Sequence, residues 1–195
     1  MTTLVVPVAA SSDDCNRYDT TGFDFFDTSL YPDFPDSVKI EVGMRFLNIT
    51  IAQGATINNA YVSLRAIVTQ TPSSSPTIIK GQDADTTVTF STYSNFDSRP
   101  RTTEAVAWTL PSPWTVDTVY NSPDIKAISQ TIVNRAGWVS GNSMVIFLTG
   151  PRFINVQAAA YDYTPAYAPV ITIDYGAAPP PAAAVPQLQL LKAGP

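Results

Sequence analysis

The stretch VKIEVGMRF, residues 38–46, decides the fold class because it changes between apolar and polar character at every position. Its charged residues and glycine would lie on one side of an extended chain, and its apolar residues on the other. A period of two predicts a half-buried β-strand. The apolar positions are Val38, Ile40, Val42, Met44 and Phe46.

Similar patterns recur on both sides of this strand, with turn signals between them. Residues 60–69 alternate in the same way, while SMVIFLT at 143–149 is almost continuously apolar and predicts a central strand. Short strands with frequent turns predict an all-β fold, an antiparallel two-sheet sandwich of jelly-roll-like form. The predicted strands cover residues 3–9, 38–46, 60–69, 77–82, 105–110, 143–149, 155–161 and 169–175.

One segment departs from the β pattern and predicts a single short α-helix at about 123–135. Ser-Pro-Asp at 122–124 is typical of a helix start, with a capping hydroxyl, a proline in the first turn and an acidic residue. Arg135 would favour the helix C-terminus, and Gly137 could end the helix in a left-handed conformation. The apolar stripe comprises Ile125, Ile128, Ile132 and Val133.

Residues 11–37 are polar and unusually rich in aromatic side chains. We expect an ordered surface loop, because so many aromatic rings favour burial. The rings could pack as a small core under the loop or form a subunit interface, and a glycan-binding surface is the alternative. The partner-binding candidates on this loop are Phe23, Phe25, Phe26 and Tyr31.

The composition changes at Gly176, which divides the chain into a β-sandwich domain at 1–176 and a tail at 177–195. Residues 177–186 form a Pro/Ala spacer that favours an extended polyproline conformation. The final QLQLLKAGP alternates again, as an added β-strand would. Such a short anchor is weak alone, so we expect a homo-oligomer that presents several copies. The tail's partner-binding candidates are Leu188, Leu190 and Leu191.

Composition excludes several function classes. The net charge is −5, and the 11 basic residues are scattered, which argues against nucleic-acid binding. No apolar run approaches the ~20 residues of a membrane span. The chain has no histidine, so Ser-His-Asp and Cys-His catalysis are excluded, and Cys15 alone cannot form an internal disulfide. We expect a protein that is not an enzyme and has no cofactor.

Two pairs of carboxylates stand in predicted loops, within SSDD at 11–14 and GQDAD at 81–85. Calcium takes about six to eight oxygen ligands, so a calcium site is one interpretation. The other interpretation is that these carboxylates cap turns and pair with Arg99 or Arg101. The residues concerned are Asp13, Asp14, Asp83 and Asp85.

Over roughly residues 38–175 the chain resembles a β-sandwich module of bacterial secreted proteins, related to DNRLRE-type and carbohydrate-binding-like domains. The most specific part is 128–148, where a helix, Gly-Trp and Ser-Gly-Asn follow in order. The resemblance implies a jelly-roll-like, non-catalytic module without fixing a ligand, and similar modules also occur as stand-alone phage structural proteins. The segments that carry it are EVGMRFLNITIAQGATINNAYV (41–62), IKGQDADTTVTFS (79–91), SRPRTTEAVAWTLP (98–111) and SPDIKAISQTIVNRAGWVSGNSMVIFLTG (122–150).

The first ten residues do not have the pattern of a secretory signal, because they carry no Lys or Arg and Pro7 interrupts their apolar run. A β-module made without export favours a phage virion protein that is released by lysis, although a recombinant fragment with an added Met has the same pattern. We therefore expect a virion decoration or fibre-type protein that docks on a capsid or tail protein. The alternative is a carbohydrate-binding module of an extracellular bacterial protein, with a glycan as its partner.

Overall fold

The computed structural model is mostly β, with two larger antiparallel sheets, one two-stranded sheet and two short α-helices in the part of the chain that it describes. The described residues are 1–18, 22–24, 26–33, 40–72, 74–150 and 156–178. The strands are β1 Thr2–Pro7, β2 Asp14–Tyr18, β3 Phe23–Asp24, β4 Ser29–Asp33, β5 Ile40–Phe46, β6 Ile57–Arg65, β7 Thr77–Gly81, β8 Val106–Trp108, β9 Val119–Asn121, β10 Met144–Thr149, β11 Val156–Ala159 and β12 Val170–Tyr175. The α-helices are α1 Tyr93–Asp97 and α2 Lys126–Val133, and single 3₁₀ turns lie at Ser11–Asp13 and Pro165–Tyr167.

The two larger sheets face each other across one core. The first sheet has the strand order β1-β12-β6-β9, and the second has the order β3-β2-β5-β10-β7-β8. The chain crosses directly between them after β1, β5, β6, β8 and β9, and every strand pair is antiparallel. This arrangement confirms the predicted all-β sandwich. The third sheet, β11-β4, was not predicted.

Side chains from both sheets fill the space between them. In β5 the apolar positions that the alternation assigned to the core are buried wherever the structure describes them. In β6 and β12 the inward positions are equally closed to solvent. Each such side chain contributes about 1.5–3 kcal/mol when fully buried, so this layer supplies most of the stabilisation. Its members include Val42, Met44, Phe46, Val62, Leu64, Ile146 and Ile171.

Strand β10 is central, as its continuous apolar run predicted. It pairs with β5 on one side and with β7 on the other. Met144, Ile146 and Leu148 point into the main core, while Val145 and Phe147 are buried on the opposite face of the same sheet. A strand that is buried on both faces needs apolar residues at every position, which explains its sequence.

The helix is shorter than predicted and begins later. The Ser122 hydroxyl does not cap it, because this hydroxyl accepts a hydrogen bond from Val62 N–H (3.1 Å) in β6. Asp124 instead accepts from Lys126 N–H (2.9 Å) at the helix start. The predicted stop at Gly137 is wrong, because the left-handed glycines of the described chain are Gly54 and Gly141.

The apolar stripe of α2 is buried, as predicted, and the helix packs against β6 and β7. Gly81 in β7 makes this approach possible. A Cβ atom at this position would lie 2.7 Å from Ile128 Cγ2 and 2.7 Å from Ile132 Cδ1. A larger residue would therefore push the helix away from the sheet.

The expectation that 11–37 is a surface loop is wrong, because this region contributes β2, β3 and β4. Strand β2 pairs with β5 inside the second sheet. The buried Asn16 side chain donates to Ser29 C=O (2.7 Å) and accepts from Tyr31 N–H (3.1 Å), which connects β2 to β4. No strand was predicted at β2 because its residues are mostly polar. In the structure these polar side chains are paired inside the protein.

Candidate functional site

The outer face of the second sheet is covered by the protein's own chain. Residues 83–101, here named the covering segment, place Phe90 and Phe96 over strands β2, β5 and β10. Gly43 in β5 leaves the space for them, since a Cβ atom there would lie 2.6 Å from Phe90 Cζ. Phe96 meets Phe147 edge-on, with ring centroids 5.2 Å apart. This second apolar layer buries Cys15, Val145 and Phe147 on that face.

Arginines complete the cover. The Arg99 guanidinium lies 4.4 Å from the Phe90 ring centroid, and that of Arg101 lies 3.4 Å from the Phe147 centroid. Arg17 in β2 pairs with Asp97 at the end of α1 (2.8 Å). Cations over aromatic faces contribute about 0.5–2 kcal/mol, more where water is excluded. The covering segment is therefore bound by both apolar and charged contacts.

The paired carboxylates bind arginines, although not those that the sequence suggested. Asp85 accepts from Arg135 Nε (2.7 Å), and Asp83 pairs with the same guanidinium. Asp13 pairs with Arg45 Nη1 (2.7 Å). The predicted pairing of these carboxylates with Arg99 or Arg101 is wrong, because the nearest cations come from β5 and from the chain after α2. Within the described residues, no three metal-ligating side chains come together.

Asp14 is a buried carboxyl in β2. Burial raises its pKa to about 7, a hydrogen bond from Tyr161 N–H (2.8 Å) opposes the shift, and Asp162 and Asp13 add to it. At neutral pH this group carries a proton on a large share of molecules. A raised pKa marks many functional carboxyls, but Asp14 is closed to solvent, so no substrate can reach it.

Cys15 lies beside Asp14 and is buried under the covering segment. Burial, with a smaller contribution from Asp14, raises the pKa of its thiol well above the ordinary value. A nucleophilic cysteine needs the opposite shift and an accessible sulfur. Cys15 therefore acts as a small apolar side chain.

The predicted aromatic partner site divides between two environments. Phe23 is half-buried and packs towards Phe96, with ring centroids 6.2 Å apart, so it belongs to the cover. Phe26 is 69% exposed. Tyr31 is half-buried, and burial raises the pKa of its hydroxyl. The other candidates, Phe25, Leu188, Leu190 and Leu191, lie outside the described residues.

The outer face of the first sheet is uncovered in the described part of the chain. Strand register places alternate side chains of β1, β12, β6 and β9 on this side, here named the open face. Val5 is 59% exposed and Val119 is 52% exposed. Sequence reasoning missed this surface, although the outward positions of β6 gave the signal. Its members are Thr3, Val5, Asn59, Tyr61, Ser63, Arg65, Val119, Asn121, Val170, Thr172 and Asp174.

A shallow depression of about 120 Å³ lies at one side of the open face, where the 3₁₀ turn at Pro165–Tyr167 approaches β6 and β9. The Arg65 guanidinium stacks 4.0 Å from the Tyr167 ring centroid, and Tyr163 stacks on the same ring at 6.1 Å. Arg65 also donates to Asp117 C=O (3.2 Å). The site offers aromatic rings and hydrogen-bonding groups to a ligand.

Comparison with known proteins assigns no family. No family model matches the chain, and no curated protein matches it significantly. The resemblance to secreted β-sandwich modules therefore stays a prediction that rests on the quoted segments. Among the described helices, none is long and apolar enough to cross a membrane.

Proposed function

We propose that this protein is a non-catalytic structural module that docks on a larger assembly, as decoration or fibre-type proteins of phage virions do. The observation that supports this proposal best is the contrast between its two outer faces. One is covered over β2, β5 and β10 by the chain itself, whereas the other presents four strands with exposed valines at Val5 and Val119. An uncovered sheet face that carries both apolar and hydrogen-bonding side chains offers the two kinds of contact that protein interfaces use.

The chemistry of the described residues supports a binding role. Cys15 is a buried thiol with a raised pKa, and Asp14 is closed to solvent. The arginines of the cover are occupied by aromatic rings and by polar acceptors of the same chain. What remains accessible is a surface, and a capsid or tail protein with a complementary surface is the proposed partner.

The test is incorporation into particles. Mass spectrometry of purified virions should detect the wild-type chain, and Val119→Asp should reduce its incorporation at least about tenfold, since a buried charge in an interface costs several kcal/mol. Val139→Asp is the matched control, because Val139 is 62% exposed and belongs to no strand of the first sheet. Absence of the wild-type chain from particles would overturn the function, and equal incorporation of both variants would exclude the open face.

The depression at Arg65 favours a second candidate function, carbohydrate binding. Sugar rings stack on aromatic side chains and take hydrogen bonds from planar polar groups. Tyr163 is 47% exposed and stacks on Tyr167, so one ring remains accessible to a saccharide. A glycan array with neutral and acidic oligosaccharides tests this candidate. Saturable binding that Tyr163→Ala weakens at least about tenfold would support it, and no binding to any glycan would exclude it.

A further inference from the structure

Three of the four outermost strands of the two larger sheets are very short. The exposed backbone of an edge strand can pair with another chain, and short edges limit this pairing. Strands β3, β8 and β9 have 2, 3 and 3 residues. Strand β1 has 6 residues and is the outermost strand of the first sheet. Strand β1 is therefore the one outermost strand of the two larger sheets, among the described residues, that is long enough to pair readily with another chain.

The sequence of β1 also lacks the usual protective residues. TTLVVP contains no charged side chain, and its single proline stands at its end. β-Branched residues fill four of its six positions, which favours an extended conformation. In the part of the chain that the structure describes, no strand pairs with the outer side of β1.

The register shows which amides are available on that side. Val8 N–H donates to Pro169 C=O (2.8 Å), on the β12 side. Amide directions alternate along a strand, so the amides of Leu4 and Val6 also face β12. The amides of Thr3 and Val5 therefore point to the outer edge, where they can donate to an added strand.

The C-terminal segment begins beside this edge. Tyr175, the last residue of β12, is paired with Thr2, and Gly176 N–H donates to Thr56 C=O (2.8 Å). The chain is fixed as far as Ala178, which packs against the main core. The residues that follow contain the spacer and the alternating QLQLLK sequence.

We propose that the outer edge of β1 accepts residues 187–195 of a second copy of this chain as an added β-strand. This inference deepens the proposed structural role and rests on it. A strand added outside β1 of the same molecule would lie about two strand spacings, ~10 Å, from β12, where the C-terminal segment begins. The eight spacer residues beyond Ala178, 179–186, would reach about 25 Å in a polyproline conformation, which favours a neighbouring copy over the same molecule.

Side-chain chemistry agrees with this occupant. An added strand gains affinity from main-chain hydrogen bonds and specificity from alternate side chains. Leu188 and Leu190 are two residues apart, so a strand would place both on one side, next to the half-buried Leu4 and Val6 of β1. When each copy both gives and receives a strand, weak single contacts combine into a stable oligomer.

The experiment uses the full chain and changes one edge amide. Val5→Pro removes an amide that points outward and leaves the ladder with β12 intact. Val5→Ala is the matched control, because it removes the same exposed side chain and keeps the amide. Sedimentation velocity over a concentration series should show oligomers for the wild type and Val5→Ala, and monomers for Val5→Pro. Melting temperature checks that each variant is folded, and Thr3→Pro replaces Val5→Pro if the latter is not.

The second measurement is amide hydrogen exchange in β1, compared between the wild type and a variant with a substitution in the tail. Leu190→Asp places a charge in the proposed added strand and leaves the folded domain unaltered. The amides of Thr3 and Val5 should exchange at least about tenfold faster in Leu190→Asp than in the wild type. Equal exchange, an oligomer for the Val5→Pro variant or a monomeric wild type would each overturn the pairing. Particle incorporation is measured separately, so an incorporated monomer would refute this inference and leave the docking function standing.

Discussion

The outer faces of the two larger sheets differ in how far the chain covers them. Over the second sheet, the covering segment buries Phe90, Phe96 and Phe147 and surrounds them with arginines. Over the first sheet, Val5 and Val119 meet solvent and Arg65 lies beside a shallow depression. Contacts on the covered face stabilise the fold, whereas the exposed side chains of the open face are available to the partner proposed above.

The largest expected effect comes from removing the centre of the cover. Phe96→Ala should lower the free energy of unfolding by about 3–5 kcal/mol, because it leaves a cavity between Phe90 and Phe147. Val119→Ala on the open face should change it by less than about 0.5 kcal/mol. Chemical denaturation of both variants measures the contrast. Similar losses for both would show that the open face is buried in the folded protein.

The next effect concerns pH and the buried carboxyl of Asp14. Its folded-state pKa is raised to about 7, above the ordinary 3.8, so folding favours the protonated form. Its contribution to stability is fully present below pH ~4 and is lost as the pH rises through about 7. Asp14→Asn should remove this dependence and stabilise the protein by up to about 4 kcal/mol at pH 8, at ~1.4 kcal/mol per pKa unit. Urea titrations at pH 4, 6 and 8 provide the measurement, and parallel wild-type and variant profiles would contradict the assignment.

A matched pair of arginines sharpens the comparison further. Arg101, the last residue of the covering segment, stacks on Phe147, and Arg65 stacks on Tyr167 at the open face. Arg101→Ala should cost about 1–2 kcal/mol, since it loses a desolvated cation–π contact and the packing of its stem. Arg65→Ala should cost about 0.5 kcal/mol or less, because its partner Asp117 is 72% exposed and water screens their ion pair. Thermal unfolding should separate the variants by several degrees, and equal melting temperatures would mean that the cover adds nothing to the Arg101 contact.

The smallest expected effect is that of a chelator. Because Asp13, Asp83 and Asp85 already form ion pairs with Arg45 and Arg135, EDTA should change the melting temperature by less than about 2 °C. Calorimetry with and without EDTA measures the change. A decrease of more than about 10 °C would show that the carboxylates bind a cation in addition to these arginines.

The sequence predicted the core of the sandwich better than its surroundings. The period of two in β5 and the apolar run of β10 follow directly from burial on one face or on both, so these strands were predictable. The paired polar residues of β2 have no such period, because Asn16 and Asp14 gain their hydrogen bonds from distant segments. Local patterns do not contain that information.

The site was predicted less well for the same reason. The aromatic residues of 11–37 were predicted to act as one partner-binding group. In the structure Phe23 packs against Phe96 of the covering segment, whereas Phe26 is exposed to solvent. Arg65 and Tyr167 are about a hundred residues apart in the sequence, and only the antiparallel register of β6 and β12 brings them together. A surface assembled from four strands has no continuous sequence signal.

The position of Cys15 gives the protein a natural reporter of its own motion. The chain contains this single thiol, and it lies under the covering segment. A thiol reagent can modify it only when that segment lifts, so the labelling rate of the unaltered protein records how often the cover opens. Labelling at the rate of global unfolding would mean that the sandwich and its cover open as one unit. Faster labelling would give the cover an opening equilibrium of its own, measurable without introducing any substitution.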